Sequence, residues 1–255
     1  MLLSILIPVL DFDDELTRLL YSIVTVLDVN DYEIIIILPK SKNRHFNFKN
    51  DVKLKIIAEK SKGIYSAINQ GIKESKGDYF YIIGKDDFIF PTFSKGIQLL
   101  KELEPYVLFA NVNYGGKGVY SGMPSKYKII FKNICQQGVI YSKQTVVDYG
   151  YFIYKFINQA DHYLSIQLLW ESKKMNKIIY LNETIAYYAG TGFSSKNRDV
   201  LFRKLMPLIL KKKTNQFIYA IFLCLRYLSS IKIFLTNKTI GIKQKSDLAP
   251  EKRTS

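Results

Sequence analysis

The chain is poor in the side chains that build metal clusters and disulfide frameworks. Its 255 residues include two histidines and two cysteines, Cys135 and Cys224. Two cysteines so far apart cannot supply a zinc cluster or a set of disulfides, so a reduced, cytosolic setting is expected. This scarcity excludes zinc-ribbon proteins and small disulfide-rich secreted domains.

Long apolar runs without charge are also missing. The apolar start, Met1 to Leu10, has no positively charged leading region and is followed at once by acids, so it predicts a first strand rather than a signal peptide. Phe217 to Leu235 is long enough to cross a bilayer, but it contains Arg226 and Lys232. Each such charge costs about 2.5–3.5 kcal/mol at the membrane centre, which offsets the apolar residues, so no stable span is expected.

The net charge of +15 is concentrated near the C-terminus. Residues 196–255 contain 14 Lys and Arg against 3 Asp and Glu. Such a basic segment favours an anionic surface, and the run Lys211 to Lys213 before the apolar stretch indicates an amphipathic helix lying on anionic lipid. A helix packed on the rest of the protein with its basic face solvated is the alternative. Nucleic acid is not expected as a partner, because no recognisable binding module accompanies the charge.

Apolar segments that read as strands and helices alternate through the first hundred residues. This pattern predicts an α/β fold with a mixed, mostly parallel sheet flanked by helices. The predicted strands are 4–9, 33–38, 53–58, 79–83, 107–112, 139–142, 177–180 and 185–188. Helices are predicted at 14–27, with Asp13 or Asp14 as the cap, at 65–73, and at 158–170, with Asn158 as the N-cap. A C-terminal amphipathic helical segment follows at about 199–235.

The predicted organisation has three parts. Residues 1–198 would form one domain with two halves, 1–104 and 105–198. Residues 199–237 would form the basic amphipathic segment, and residues 238–255 a polar flexible tail.

Asp86 and Asp87 follow the predicted buried strand Tyr79 to Ile83. Two adjacent carboxylates repel one another unless a cation or strong donors lie nearby. Strand ends are where open α/β sheets bind ligands, and Mg²⁺ is commonly held by one or two carboxylates together with substrate phosphates. The pair therefore predicts a metal–diphosphate site; a solvated turn is the alternative.

Four segments in order resemble the family-2 glycosyltransferases, inverting enzymes of the GT-A (Rossmann-like) fold. They are the first strand, Gly63-Ile64-Tyr65-Ser66-Ala67-Ile68-Asn69-Gln70-Gly71, the strand ending in Asp86-Asp87, and Gln159-Ala160-Asp161-His162-Tyr163-Leu164. The resemblance runs from about Ser4 to about Leu169, and Gly190 to Ser195 is similar to a Gly-Gly-x-Ser-Ser loop of these relatives.

The resemblance implies that residues 1–104 form a nucleotide-sugar-binding half and residues 105–198 an acceptor half of a glycosyltransferase domain. It also implies roles for seven residues. Asp87 would ligate Mn²⁺ or Mg²⁺, and Asp161 would be the catalytic base that takes the acceptor hydroxyl proton. The donor would be bound by Pro8, Lys62, Gly63, Asn69 and Asp86. For Asp161 the alternative is structural, since an acid in the first turn stabilises free helical N–H groups.

Four positions depart from the family pattern. Leu38, Ser61, Ser66 and Lys85 stand where relatives often have an acid or, for Lys85, Ser or Asp. Lys85 either adds a phosphate contact or weakens metal binding. The departures keep open a second hypothesis, a degenerate, non-catalytic and membrane-associated binding protein.

The leading hypothesis is a metal-dependent inverting transferase of hexosyl type. It would move a sugar from a nucleotide donor, UDP-linked by resemblance, to a glycan or lipid-linked acceptor in bacterial surface polysaccharide or lipopolysaccharide synthesis. It would work in the cytoplasm, peripherally on the inner face of the cell membrane. A sugar nucleotidyltransferase is disfavoured, because no Gly-rich phosphate loop is present near the N-terminus.

Overall fold

A computed structural model describes residues 1–41, 48, 52–172, 175–192 and 197–228 of the chain. The chain divides into two compact units, residues 1–204 and 205–255. The predicted tail at 238–255 and residues 193–195 of the Gly190 loop lie outside the described residues.

The first unit is built on one mixed sheet of nine strands in the part of the chain that is described. The order is β3-β2-β1-β4-β8-β6-β9-β5, with β7 paired to β6. The first four strands in this order are mutually parallel, whereas β8 runs antiparallel to both of its neighbours. The prediction of an α/β fold with a mostly parallel sheet is confirmed. The strands are β1 (Leu3–Pro8), β2 (Tyr32–Leu38), β3 (Leu54–Ala58), β4 (Tyr79–Ile82), β5 (Phe88–Ile89), β6 (Val107–Tyr114), β7 (Gly118–Tyr120), β8 (Val139–Ser142) and β9 (Ile178–Tyr188).

Helices flank this sheet and bury their apolar faces against it. In the first helix the buried residues are Leu16, Leu19, Leu20 and Ile23, the spacing of one helical stripe. Asp13 caps this helix by accepting a hydrogen bond from the backbone N–H of Leu16. The helices of the described chain that carry labels below are α1 (Asp14–Val26), α2 (Ile64–Glu74), α3 (Phe93–Leu103), α4 (Lys143–Tyr149), α5 (Ala160–Glu171) and α6 (Val200–Lys213).

The strand register brings distant parts of the sequence to one edge of the sheet. Leu6 of β1 lies opposite Ile82 of β4, so the chain leaves both strands at the same carboxyl edge. Because β8 is antiparallel to β4, the residues just before β8 lie at that edge as well. The edge is therefore formed by the loops after β1 and β4 and by the segment that enters β8.

The predicted elements differ from the structure in three places described here. The two strands predicted at 177–180 and 185–188 are one long strand, β9, which pairs with β6 through register shifts near Asn111. Helix α3 was not predicted. Helix α5 begins at Ala160 with Gln159 as its N-cap residue, not Asn158, so Asp161 is its second residue.

The basic segment is helical where it is described. Helix α6 contains Pro207 and ends in Lys211, Lys212 and Lys213, and residues 216–228 form a further helix. Residues 229–237 of the predicted amphipathic segment lie outside the described residues. Within the described chain, no helix has the length and hydropathy needed to cross a membrane.

Candidate active site

A cavity of about 350 Å³ opens at the carboxyl edge of the sheet. We call it the main cavity. Acidic and amide side chains from both halves of the first unit line it, together with tyrosines. Its lining residues include Pro8, Tyr65, Asp86, Asp87, Tyr114, Tyr120, Asn133, Gln137, Asp161 and Tyr188.

Asp87 is held in place from three directions. Its Oδ1 accepts a hydrogen bond from the backbone N–H of Ala189 at 2.9 Å, just after β9. Its Oδ2 accepts one from Gln137 Nε2 at 2.6 Å and a longer one from the Gly84 N–H at 3.3 Å. Asp87 is only 3% exposed, so its carboxylate orientation is determined by these donors.

The ionisation of Asp87 depends on its burial and on the acid beside it. Burial and the nearby charge of Asp86 raise the pKa of Asp87 to about 7, although the hydrogen bonds from Ala189, Gln137 and Gly84 lower it. None of the ion pairs among the described residues includes Asp86 or Asp87. Two carboxylates at a cavity wall whose charge no ion pair neutralises favour the binding of a cation.

Gly84 makes room for both acids. A Cβ atom at this position would lie 2.8 Å from Asp86 Oδ1 and 3.1 Å from Asp87 Oδ2. Any side chain here would force the carboxylates to move, since real Cβ contacts are longer than this. The glycine between strand β4 and the acids therefore sets the shape of the site.

Asp161 reaches the same cavity from the start of helix α5. Its Oδ1 accepts a hydrogen bond from the Tyr65 hydroxyl at 2.7 Å, and its Oδ2 accepts one from Asn133 Nδ2 at 2.7 Å. Asp161 is 8% exposed. Burial and the charge of Asp161 raise the pKa of Tyr65 well above its usual value, so the tyrosine remains a hydrogen-bond donor.

The partners of Tyr65 are themselves fixed. The Phe152 ring stacks on Tyr65 with centroids 5.6 Å apart. Asn69, one turn further along α2, binds both backbone groups of Phe152: its Nδ2 donates to the carbonyl at 2.7 Å, and its Oδ1 accepts from the N–H at 3.0 Å. Helix α2 thus connects the sheet to the segment that precedes Asp161.

The predicted donor-binding residues separate into two groups. Pro8 and Asp86 line the main cavity, together with the predicted metal ligand Asp87 and the predicted base Asp161. Lys62, Gly63 and Asn69 are not among the described residues that line it. Lys62 and Gly63 are exposed, and Gly63 adopts φ of +115° where it caps α2. Their role in donor binding stays a prediction.

Lys85 points away from the two acids that follow it. Its ammonium pairs with Asp11 at 3.1 Å and with Asp13, the residue that caps α1. Burial lowers the pKa of Lys85, but the hydrogen bonds and charges of Asp13 and Asp11 outweigh it and raise the pKa overall. The lysine therefore ties the turn after β4 to the loop after β1.

The side chains of Asp86 and Asp87 at the wall of the main cavity fit a hard divalent cation. Within the described residues no group of three or more Asp, Glu, His or Cys side chains could hold a metal ion. Asp86 and Asp87 offer two carboxylates beside open space, and Mg²⁺ sites commonly combine one or two carboxylates with substrate phosphates and water. The donor set thus suits an ion that arrives with a phosphorylated ligand.

Sequence reasoning missed several residues that hold the acids. Tyr65 lies inside the motif that carried the resemblance, but no role was predicted for it. No role was predicted for Gln137 either. Asn133 and the Ala189 N–H carry no sequence signal, since their positions depend on the antiparallel entry into β8 and on the end of β9.

The mixed, mostly parallel sheet flanked by helices is the arrangement of the GT-A (Rossmann-like) fold of glycosyltransferases. The model of the family described as glycosyl transferase family 2 matches residues 4–158, more than half of the chain. The chain belongs to this family. A comparison with curated protein sequences found no match.

Solved structures of S. aureus TarS share this fold. The complex of TarS residues 1–349 with UDP-GlcNAc superposes with a TM-score of 0.70 at 19% identity, covering 88% of this chain and 72% of that one. The UDP complex gives a TM-score of 0.67 at 18% identity, covering 88% and 71%. Against a longer TarS structure the TM-score is 0.66 at 18% identity, and 83% of this chain matches only 39% of that chain.

Proposed function

We propose that the protein is a metal-dependent inverting glycosyltransferase that uses a nucleotide-sugar donor, UDP-linked, and transfers a hexosyl group. One observation carries the proposal. The fold brings Asp86 and Asp87 to the same cavity as Asp161, although the acids are separated by more than 70 residues of sequence. The similar TarS structures hold UDP-GlcNAc and UDP, which supports a uridine nucleotide as the first ligand to test.

The two acidic positions suit different tasks. Asp86 and Asp87 would hold Mn²⁺ or Mg²⁺ against the donor diphosphate, and the metal would neutralise charge on the departing nucleoside diphosphate. Asp161 stands apart from this pair, on a different element. A single carboxylate near the acceptor is what direct displacement with inversion requires.

In the proposed reaction Asp161 acts as general base. Its carboxylate takes the proton of an acceptor hydroxyl while that oxygen attacks the anomeric carbon of the donor. The anomeric carbon–oxygen bond to the diphosphate breaks, and its electron pair leaves with the nucleoside diphosphate. Tyr65 and Asn133 orient the carboxylate through their hydrogen bonds at 2.7 Å each, so its free lone pairs face a defined direction.

Membrane association is part of the proposal. Residues 216–228 expose several apolar side chains: Phe217 is 74% exposed, Leu225 47% and Leu228 58%. Three consecutive lysines, Lys211 to Lys213, precede them. Exposed apolar groups beside clustered lysines suit the surface of an anionic membrane, the inner face of the cell membrane, where a lipid-linked or surface-glycan acceptor is assembled.

The test is a calorimetric titration of the full chain with a panel of nucleoside diphosphates, with and without Mn²⁺. We expect metal-dependent binding of UDP. Asp161→Asn should bind UDP as the wild type does but lose transfer by at least about a hundredfold, the usual contribution of a general base. The matched control is Asp31→Asn, which removes an acid that pairs with Lys101 on the surface.

Two results would decide against the proposal. If the folded protein binds none of the nucleotides, the non-catalytic, membrane-associated alternative takes its place. If Asp161→Asn retains full transfer, Asp161 is not the base and its role is confined to the start of helix α5.

A further inference from the structure

A second, smaller cavity adjoins the main cavity on the side of Asp161. Its volume is about 80 Å³. We call it the basic cavity. Two lysines, two serines and an asparagine supply its polar lining. Its lining residues include Ser121, Ser125, Lys128, Lys132, Asn133 and Ile134.

The two cavities share a wall. Asn133 and Ile134 line both of them, and Asn133 Nδ2 donates to Asp161 Oδ2 at 2.7 Å. A molecule whose hydroxyl group meets Asp161 therefore has its neighbouring groups close to the basic cavity. The segment 121–134 would contact the acceptor and not the nucleotide.

The segment that lines the basic cavity carries charge of one sign. Between residues 105 and 147 the sequence contains five lysines, no arginine and no Asp or Glu. Lys128 and Lys132 are exposed, and none of the ion pairs among the described residues includes either of them. By contrast, the charge of Lys85, which precedes the acidic pair in the sequence, is neutralised by Asp11 and Asp13. The lysine charges at the basic cavity are available to an anionic ligand.

The serines add hydrogen-bond donors. Ser121 Oγ accepts a hydrogen bond from the Met123 N–H at 3.2 Å, and Ser125 Oγ accepts one from the Lys128 N–H at 3.3 Å. A hydroxyl group that accepts from the backbone still has its own proton to donate. Lysine ammonium groups and hydroxyl protons together form the donor set that binds phosphate or carboxylate oxygens.

Two aromatic side chains of the main cavity hold lysine ammonium groups close to it. Tyr114 and Tyr120 line the main cavity, with ring centroids 6.2 Å apart. Lys132 Nζ lies over the Tyr120 ring, 3.8 Å from its centroid, and Lys117 Nζ lies over the Tyr114 ring, 4.2 Å from its centroid. These cation–π contacts keep positive charge beside the part of the main cavity that adjoins the basic cavity.

We infer that the basic cavity binds an anionic group, a phosphate or a carboxylate, on the acceptor saccharide. The inference rests on the proposed function, since it assigns the acceptor of that same site. Lys128 and Lys132 would attract the charge, and Ser121 and Ser125 would donate to its oxygens. An uncharged acceptor of the same shape would bind more weakly.

The test compares saccharides that differ only in charge. Tetragalacturonate and its methyl ester form the carboxylate pair, and glucose 6-phosphate and glucose form the phosphate pair. Binding to the full chain is followed by ligand-observed NMR at low and high salt. We expect the charged member of at least one pair to bind more tightly than the neutral one, with affinity that falls as salt rises.

Matched variants distinguish binding at the basic cavity from general electrostatic attraction to a positively charged protein. Lys128→Gln combined with Lys132→Gln should weaken binding of the charged saccharide about tenfold, the effect of losing two exposed charge contacts. Lys53→Gln combined with Lys177→Gln removes the same charge from exposed lysines that do not line the basic cavity, and should leave binding unchanged. Both double variants should bind UDP as the wild type does.

Three outcomes would overturn the inference. The charged and neutral saccharides bind equally; or the two double variants behave alike; or the Lys128 and Lys132 changes weaken binding only to phosphatidylglycerol vesicles, which would make a lipid headgroup the ligand. If the wild type does not bind UDP, the proposed function is refuted instead. The UDP titration is a separate measurement from the saccharide titrations, so the two failures can be distinguished.

Discussion

The Tyr65 hydroxyl donates a 2.7 Å hydrogen bond to Asp161, a residue 96 positions later in the chain. This bond joins helix α2 to helix α5 across the main cavity. Tyr65 cannot easily ionise, because burial and the charge of Asp161 raise its pKa, so it acts only as a donor. The bond therefore restrains the orientation of the Asp161 carboxylate.

Replacing Tyr65 by Phe should reduce transfer through kcat. Without the hydroxyl, Asp161 keeps only the Asn133 donor, so its carboxylate is less well oriented. We expect kcat to fall about tenfold, with UDP affinity unchanged. Tyr154→Phe, at a side chain that is 65% exposed, is the matched control. An unchanged kcat would show that the Tyr65 hydroxyl does not position Asp161 for the reaction.

Asn69→Ala should cost stability. The change removes both hydrogen bonds to the backbone of Phe152 and leaves those groups partly buried, a loss of about 1–3 kcal/mol in the free energy of unfolding. Urea denaturation measures it, with the exposed Asn30→Ala as a control expected to change stability by less than about 0.5 kcal/mol. If UDP binding weakens while stability is unaffected, Asn69 contacts the donor, as the family resemblance implies.

Asp87→Asn should abolish the effect of metal on the protein–nucleotide complex. In the wild type we expect Mn²⁺ added together with UDP to raise the unfolding midpoint by several degrees, because only the folded state binds them. The Asn variant retains similar shape but loses the charge that attracts the ion. Asp14→Asn, at an exposed acid in the first turn of α1, should keep the full response. An equal midpoint shift in Asp87→Asn would remove Asp87 from the metal site.

His162 should make the protein less stable in acid. Burial lowers its pKa; its Nε2 lies 2.6 Å from the Ile129 carbonyl, its Nδ1 faces Gln159, and the Phe202 ring and the charge of Asp161 are nearby. With the folded pKa below the unfolded value of about 6.5, the contribution of neutral His162 is complete above that pH and is lost as pH falls through the lowered pKa.

The measurement for His162 compares denaturation curves of wild type and His162→Gln. The stability difference between them should shrink as pH falls below about 6.5, because only the wild type has to protonate a buried imidazole. A difference that stays constant as pH falls would show that His162 does not titrate in the folded protein.

Local patterns predicted the fold well where burial is continuous. The run from Glu33 to Leu38 is apolar after its first residue and forms β2, whose seven residues Tyr32 to Leu38 are all buried. Asp13 was predicted as one of two possible caps for α1 and is the cap observed. The predicted boundaries were wrong where strand pairing decides them. β9 stays one strand across the polar Asn182 and Glu183 because β6 pairs with it on both sides of the register shifts near Asn111.

The sequence by itself determined the family, the α/β class and the candidate acids, because short-range patterns of burial, turn residues and paired charges carry that information. Only the tertiary structure decided what surrounds those acids. Tyr65, Asn133 and Gln137 reach Asp161 and Asp87 through strand order and antiparallel pairing, which bring together residues far apart in the chain. Lys85 likewise follows its spatial neighbours, Asp11 and Asp13, and turns away from the acids beside it in sequence, because side-chain contacts are set by distance in space.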